Sequence, residues 1–128
     1  MKINCNATIG KDYSVFATVA RDWRGALVFA LSKKANTNVP LQAEVEALLW
    51  SVQLAKSFTG IKVVIERDSK MCIEVLRTQN LDMLWRISSC LTEICHLTSL
   101  LSDCSFNWVR RETNRGVHEL ATWSFKII

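Results

Sequence analysis

Residues 62–70, KVVIERDSK, constrain the fold more than any other stretch of the chain. Val63, Val64 and Ile65 are consecutive β-branched residues, which predicts a strand packed on both faces, as in the middle of an α/β sheet. Asp68 and Ser69 then stop the strand and suit the start of a helix over residues 71–79. An acid just past the carboxyl end of a central strand lies where such sheets gather their chemistry. Asp68 is therefore either a helix cap or a site acid, and its neighbours in space decide which.

Around that strand the chain alternates between strand and helix patterns. Residues 2–7 (KINCNA) read as an opening strand with almost no lead-in, as expected of a domain taken from a longer chain. Residues 13–20 alternate as a second strand, 21–25 (RDWRG) form a hairpin turn, and 26–32 return as a third strand. Residues 33–39 are polar and read as a loop. Pro40 introduces a helix over residues 42–57, and Gly60 leads into the central strand. After a turn at 80–82, Leu84, Ile87, Leu91, Ile94 and Leu101 make one apolar stripe along a long helix. Residues 105–110 are a fifth strand. Asn114 suits the cap of a last helix, with Val117, Leu120 and Ala121 facing inward. The order βββαβααβα predicts an α/β fold. Three antiparallel strands precede two reached through helical crossovers, giving a five-stranded mixed sheet flanked by helices. With no repeat or linker in 128 residues, one domain over 1–128 is expected.

Composition removes several classes of function. Hydrophobic residues make up 49% and charged residues 22%, which excludes a disordered chain. The longest apolar run, residues 26–31, is far too short to cross a bilayer. No basic-then-apolar leader precedes the first strand, so an intracellular protein of nucleus or cytoplasm is expected, not a secreted one. Five cysteines (Cys5, Cys72, Cys90, Cys95, Cys104) with no CxxC read as reduced, mostly buried thiols and not as a zinc site. The net charge of +4, from 16 Lys and Arg against 12 Asp and Glu, permits a polyanionic partner.

The same segments carry a family resemblance. KINCNA, VARDWRG, PLQAEVEALLWSVQLA, IERDS and VRRETNRGVHELA, in this order, resemble the type 1 ribonuclease H domain. The resemblance is greatest to its reverse-transcriptase-like version found in plants, and it covers essentially the whole chain. It implies a ribonuclease H-like fold and metal-dependent hydrolysis of the RNA strand of RNA–DNA hybrids. In that chemistry four carboxylates hold two Mg²⁺ (or Mn²⁺) ions, because paired cations need dense, hard negative charge.

Carried over position by position, the acid of the first helix is Glu44, whose plain alternative is an acid in a helix's first turn. The acid after the central strand is Asp68. The two remaining acid positions are substituted, by Asn6 on the first strand and His118 on the last helix. Asn6 offers one neutral carbonyl oxygen and cannot bridge two ions with a charge. Glu44 and Asp68 are thus left as the expected metal ligands, for one weakly held ion. His118 reads as a softer ligand, a proton shuttle or a polar rim residue. Glu66, Glu119, Asp12 and Glu112 are the acids available as stand-ins.

Arg21, Arg24, Lys33, Lys34, Arg110, Arg111 and Arg115 are candidate phosphate contacts, Trp23 and Trp85 candidate stacking surfaces, and Asn114 a candidate substrate-side residue. The long helix carries only Arg86 as a cationic residue, which implies weak or partner-dependent hybrid binding. No small-molecule cofactor is implied. The expected function is nucleic-acid binding, an RNA–DNA hybrid above all, with nuclease activity weak or lost. Two alternatives stay open: an active one-metal or Mn²⁺-dependent hybrid ribonuclease, and a non-catalytic scaffold for proteins.

Overall fold

Lys2–Ile9 forms β1, buried on both faces at Cys5–Ala7, and it becomes the strand on which the sheet is assembled. Ile3 and Cys5 enter the main apolar core, while Asn4 and Asn6 project from the opposite face and bond to a helix there. A computed structural model describes residues 1–58, 60–68, 81–101 and 103–127, with backbone only at 81–84, 86 and 108. β2 (Ser14–Arg21) and β3 (Leu27–Ala35) follow antiparallel on one side of β1. β4 (Val63–Arg67) and β5 (Cys104–Trp108) add in parallel on the other, giving the order β3-β2-β1-β4-β5. The mixed five-stranded sheet is the one expected from the order of elements.

Helices α1 (Pro40–Ala55) and α2 (Leu81–Leu100) cover one face, and α3 (Arg115–Ile127) covers the other. Beneath α1 and α2, Val45, Leu48, Val52, Ile87 and Ile94 close over Ile3, Val63 and Ile65. Each of these large side chains contributes about 1.5–3 kcal/mol by leaving water. On the far face Val117 and Ala121 pack on Ala17, with Leu120 partly buried beside them, as the helical spacing predicts. The hairpin RDWRG closes through Asp22, whose Oδ1 accepts the N–H groups of Arg24 (2.8 Å) and Ala26 (2.9 Å). Gly25 takes a φ of 80° there, a conformation that side chains resist.

Several boundaries differ from the sequence expectations, each for a physical reason. β3 runs on to Ala35 where a loop was expected, because Lys33, Lys34 and Ala35 pair with Phe16, Val15 and Ser14. Lysines suit an edge strand, where they discourage further pairing. α1 starts at Pro40, since proline's fixed φ suits the first helical position. Glu44 therefore sits one turn in, and the first turn holds no acid, so favourable placement against the helix dipole does not explain it. Along α2 the buried face runs through Ile87, Ile94 and Leu97, with Cys90 packed against it. Leu91 lies at the edge of that face and is exposed.

Cys5 is buried, Cys90 and Cys104 are half-buried and Cys95 is exposed, all as free thiols. The helix expected over 71–79, its cap Ser69, the turn residue Asn80 and Cys72 lie outside the described residues, as do the side chains of Leu84 and Arg86. No described helix is long and apolar enough to cross a membrane.

Candidate functional site

Asn6 and His118, the two positions at which the resemblance leads one to expect acids, meet. Asn6 projects from β1 toward α3, and its Nδ2 donates to His118 Nδ1 at 2.9 Å. Next to this pair Asn4 Nδ2 donates to Asn114 Oδ1 (3.0 Å) and to Glu66 Oε2 (3.1 Å). Asn114 Nδ2 in turn donates to the main-chain oxygen of Cys5 at 3.1 Å. Asn114 immediately precedes α3, as expected of a cap, and its carbonyl accepts the N–H of His118. Its amide, however, crosses to the sheet. At 1% exposure it ties the start of α3 to β1 instead of standing at the surface.

The retained acids lie toward α1. Glu44 points from the second turn of α1 at the end of β4, where Arg67 Nη2 donates to its Oε2 at 2.8 Å. Arg67 Nη1 also reaches the main-chain oxygen of Glu44 at 3.4 Å. The two side chains are 8% and 14% exposed, so this is a nearly dry ion pair. Burial pushes the Glu44 carboxyl above its ordinary value; the Arg67 guanidinium opposes that, and the negative charge of Asp68 adds to it. Asp68, half-buried just past β4, is thus within electrostatic reach of Glu44.

The other acids are engaged or remote. Glu66 is buried and holds Asn4 and, at 3.5 Å, Lys2 Nζ. Glu119 pairs with Arg115 Nε at 2.9 Å on the exposed side of α3. Asp12 and Glu112 are exposed on turns. Among the described residues no three His, Cys, Asp or Glu side chains form a metal-holding group.

A pair of divalent ions does not fit this donor set. Asn6 can offer an ion only a neutral amide oxygen, and a cation already sits on Oε2 of Glu44. For a single ion the remaining oxygen donors are Glu44 and Asp68, with Arg67 standing on the first. Burial, with nearby acids adding to it, raises the Cys90 and Cys104 thiols, so neither of these two offers a reactive thiolate.

The candidate nucleic-acid contacts are spread over several elements. Lys2 opposes Arg21 and Asn6 opposes Ala17, so Arg21 lies four residues, about 13 Å, along the sheet from the Asn6–His118 pair. There Arg21 and the exposed Trp23 border an open hollow of about 420 Å³ with Lys2 and Lys62. Arg24 stacks its guanidinium 4.6 Å from the Trp23 ring centre. Lys33 and Lys34 lie over Trp50 and Tyr13, and Trp85 projects from α2.

Arg110 and Arg111, exposed on the segment between β5 and α3, and Arg115, exposed at the first position of α3, are the ones near the site. The N–H of Val109 donates to the Arg67 carbonyl, which fixes that segment at the end of β4. A groove on α3 that the sequence reading missed joins His118 to Thr122, the exposed Trp123 and Lys126. Its signal in the sequence was the four-residue step from His118 to Thr122 and Lys126, which places all three on one helix face.

The comparisons agree with this architecture. The sequence pattern of the reverse-transcriptase-like family matches residues 4–124. No curated protein matches the sequence. Among solved structures, ribonuclease H1 of the halophilic archaeon Halobacterium salinarum superposes with a TM-score of 0.83 at 19% identity, over 99% of this chain and 98% of that one. LC11 ribonuclease H1, from compost and in complex with an RNA/DNA hybrid, gives 0.78 at 16% identity, over 94% and 93%. The N-terminal ribonuclease H domain of a Mycobacterium tuberculosis protein gives 0.77 at 15% identity, over 98% and 94%. At these identities the likeness establishes the fold. With the family pattern running through nearly all of that fold, the chain belongs to the reverse-transcriptase-like family of ribonuclease H-like domains.

Proposed function

We propose that this domain binds nucleic acid, RNA–DNA hybrids in the first instance, and cleaves them weakly or not at all. The observation that carries this reading is the Asn6–His118 hydrogen bond. Two positions where the family's hydrolysis calls for carboxylates hold an amide and an imidazole bonded to each other. Losing those charges removes about 4 kcal/mol of transition-state stabilisation, roughly a thousandfold in rate. Support for binding is separate from support for cleavage. LC11 ribonuclease H1, of the same fold, holds an RNA/DNA hybrid. In this chain, exposed Arg110 and Arg111 and the Trp123–Lys126 groove offer cations and an aromatic face beside the site.

Two measurements test the reading. Binding to a labelled hybrid, in EDTA and across salt concentrations, is expected to weaken steadily with salt as phosphate contacts release counterions. Cleavage in Mg²⁺ and in Mn²⁺ is expected to be no greater for the natural protein than for Asp68→Asn. Cleavage by the natural protein that Asp68→Asn abolishes would instead support the one-metal ribonuclease. Salt-insensitive binding, or none, would favour a protein scaffold.

A further inference from the structure

We propose that Arg67 is the resident cation of the Glu44–Asp68 site, and that its guanidinium keeps divalent ions out. Arg67 ends β4, and the Val109 N–H holds its carbonyl at 2.9 Å, so the side chain leaves from fixed backbone. Two of its nitrogens then grip one residue, Nη2 on Glu44 Oε2 and Nη1 on the Glu44 main-chain oxygen. A planar fork bonded at two points in a nearly dry place is held far more firmly than a surface pair. Glu44 and Asp68 carry two negative charges between them, and Arg67 returns one, leaving one. An incoming divalent ion would meet a like charge already seated on one of its two oxygen ligands. Mg²⁺ in particular demands near-octahedral oxygen geometry, which a site already filled by a guanidinium does not offer. The inference adds metal independence to the proposed function. Its test reads ion binding alone, so it can fail while hybrid binding stands, or stand while hybrid binding fails.

The test is Mn²⁺ titrated into the 128-residue chain without nucleic acid, followed by calorimetry and by the Mn²⁺ EPR signal. The natural protein and Arg67→Lys, which keeps a cation, are expected to show no saturable binding below about 10 mM, and Arg67→Met binding at least about tenfold tighter. Adding Glu44→Gln to Arg67→Met is expected to abolish that gain. Saturable sub-millimolar binding by the natural protein that Glu44→Gln removes would overturn the proposal, as would equal affinities for the natural protein and Arg67→Met. If Arg67→Met does not fold alone, refolding on addition of Mn²⁺ supports the proposal. Failure of Mn²⁺ to restore it counts against.

Discussion

The two faces of the sheet hold the polar groups of one site in opposite ways. Toward α3, Asn4 bonds to Asn114 and Asn6 to His118 through amides and a ring, and the buried Glu66 joins them through Asn4 and pairs with the exposed Lys2. Toward α1, Glu44 and Arg67 are full charges that satisfy one another. A neutral group that loses its partner is left with one unmade hydrogen bond, whereas a buried charge is left without the field that made its burial tolerable. The α3 side should therefore absorb damage, and the α1 side should not.

The largest expected effect breaks the ionic side. Arg67→Met leaves the Glu44 charge buried beside Asp68, and should destabilise the fold by about 3 kcal/mol in urea denaturation. Glu44→Gln combined with Arg67→Met should recover most of that loss, because both charges leave together. A double variant as unstable as Arg67→Met alone would mean that Arg67 acts by packing and not by charge. The neutral side should yield less. Asn6→Ala and His118→Ala should each cost about 1 kcal/mol, and a double-mutant cycle between them should show a coupling of similar size. Additive losses would show that the 2.9 Å contact contributes nothing of its own.

Acidity separates the faces further. Burial, reinforced by Asp68 and opposed by Arg67, raises the Glu44 carboxyl above 4.5, so the folded chain holds this proton more tightly than the unfolded chain. The stability due to this group is fully present below 4.5 and is lost as pH rises through the folded value. Glu44→Gln cannot titrate. Its urea midpoint should fall less than that of the natural protein as pH rises through that interval. Parallel profiles would place the titrating group elsewhere.

How much of this was legible depends on the distance over which each feature is encoded. Val63 to Ile65, the alternation of KINCNA and the helical crossovers state the sheet locally, and the structure follows them. Glu44, Asp68, Asn6 and His118 were named only by the frames of the resemblance, and the structure adds their contacts, not their roles. That Asn6 and His118 bond to each other could not be read, since 112 residues separate them and only the seating of α3 on β1 joins them. Arg67 was passed over although a signal existed. Side chains on a strand alternate, so position 67 shares the core face of Val63 and Ile65, where an arginine needs a partner. Leu91 and Leu97 show the limit of a stripe: Leu91 is four residues from Ile87 and exposed, whereas Leu97, three residues from Ile94, is buried.

The smallest effect is expected from the pair that looks most like Glu44–Arg67 on paper. Arg115 Nε and Glu119 Oε1 are 2.9 Å apart, nearly the 2.8 Å of the buried pair, and their side chains are 78% and 64% exposed. Water solvates each charge when the other is removed, and salt screens both. Glu119→Ala should therefore change stability by under about 0.5 kcal/mol, and the change should shrink further in high salt. Because Arg115 lies next to the site, freeing it from Glu119 should strengthen hybrid binding at low salt, where phosphate contacts count most. A loss of hybrid affinity in Glu119→Ala would mean that the pair positions Arg115 instead of occupying it. In that case geometry, and not burial, would be what the two pairs have in common.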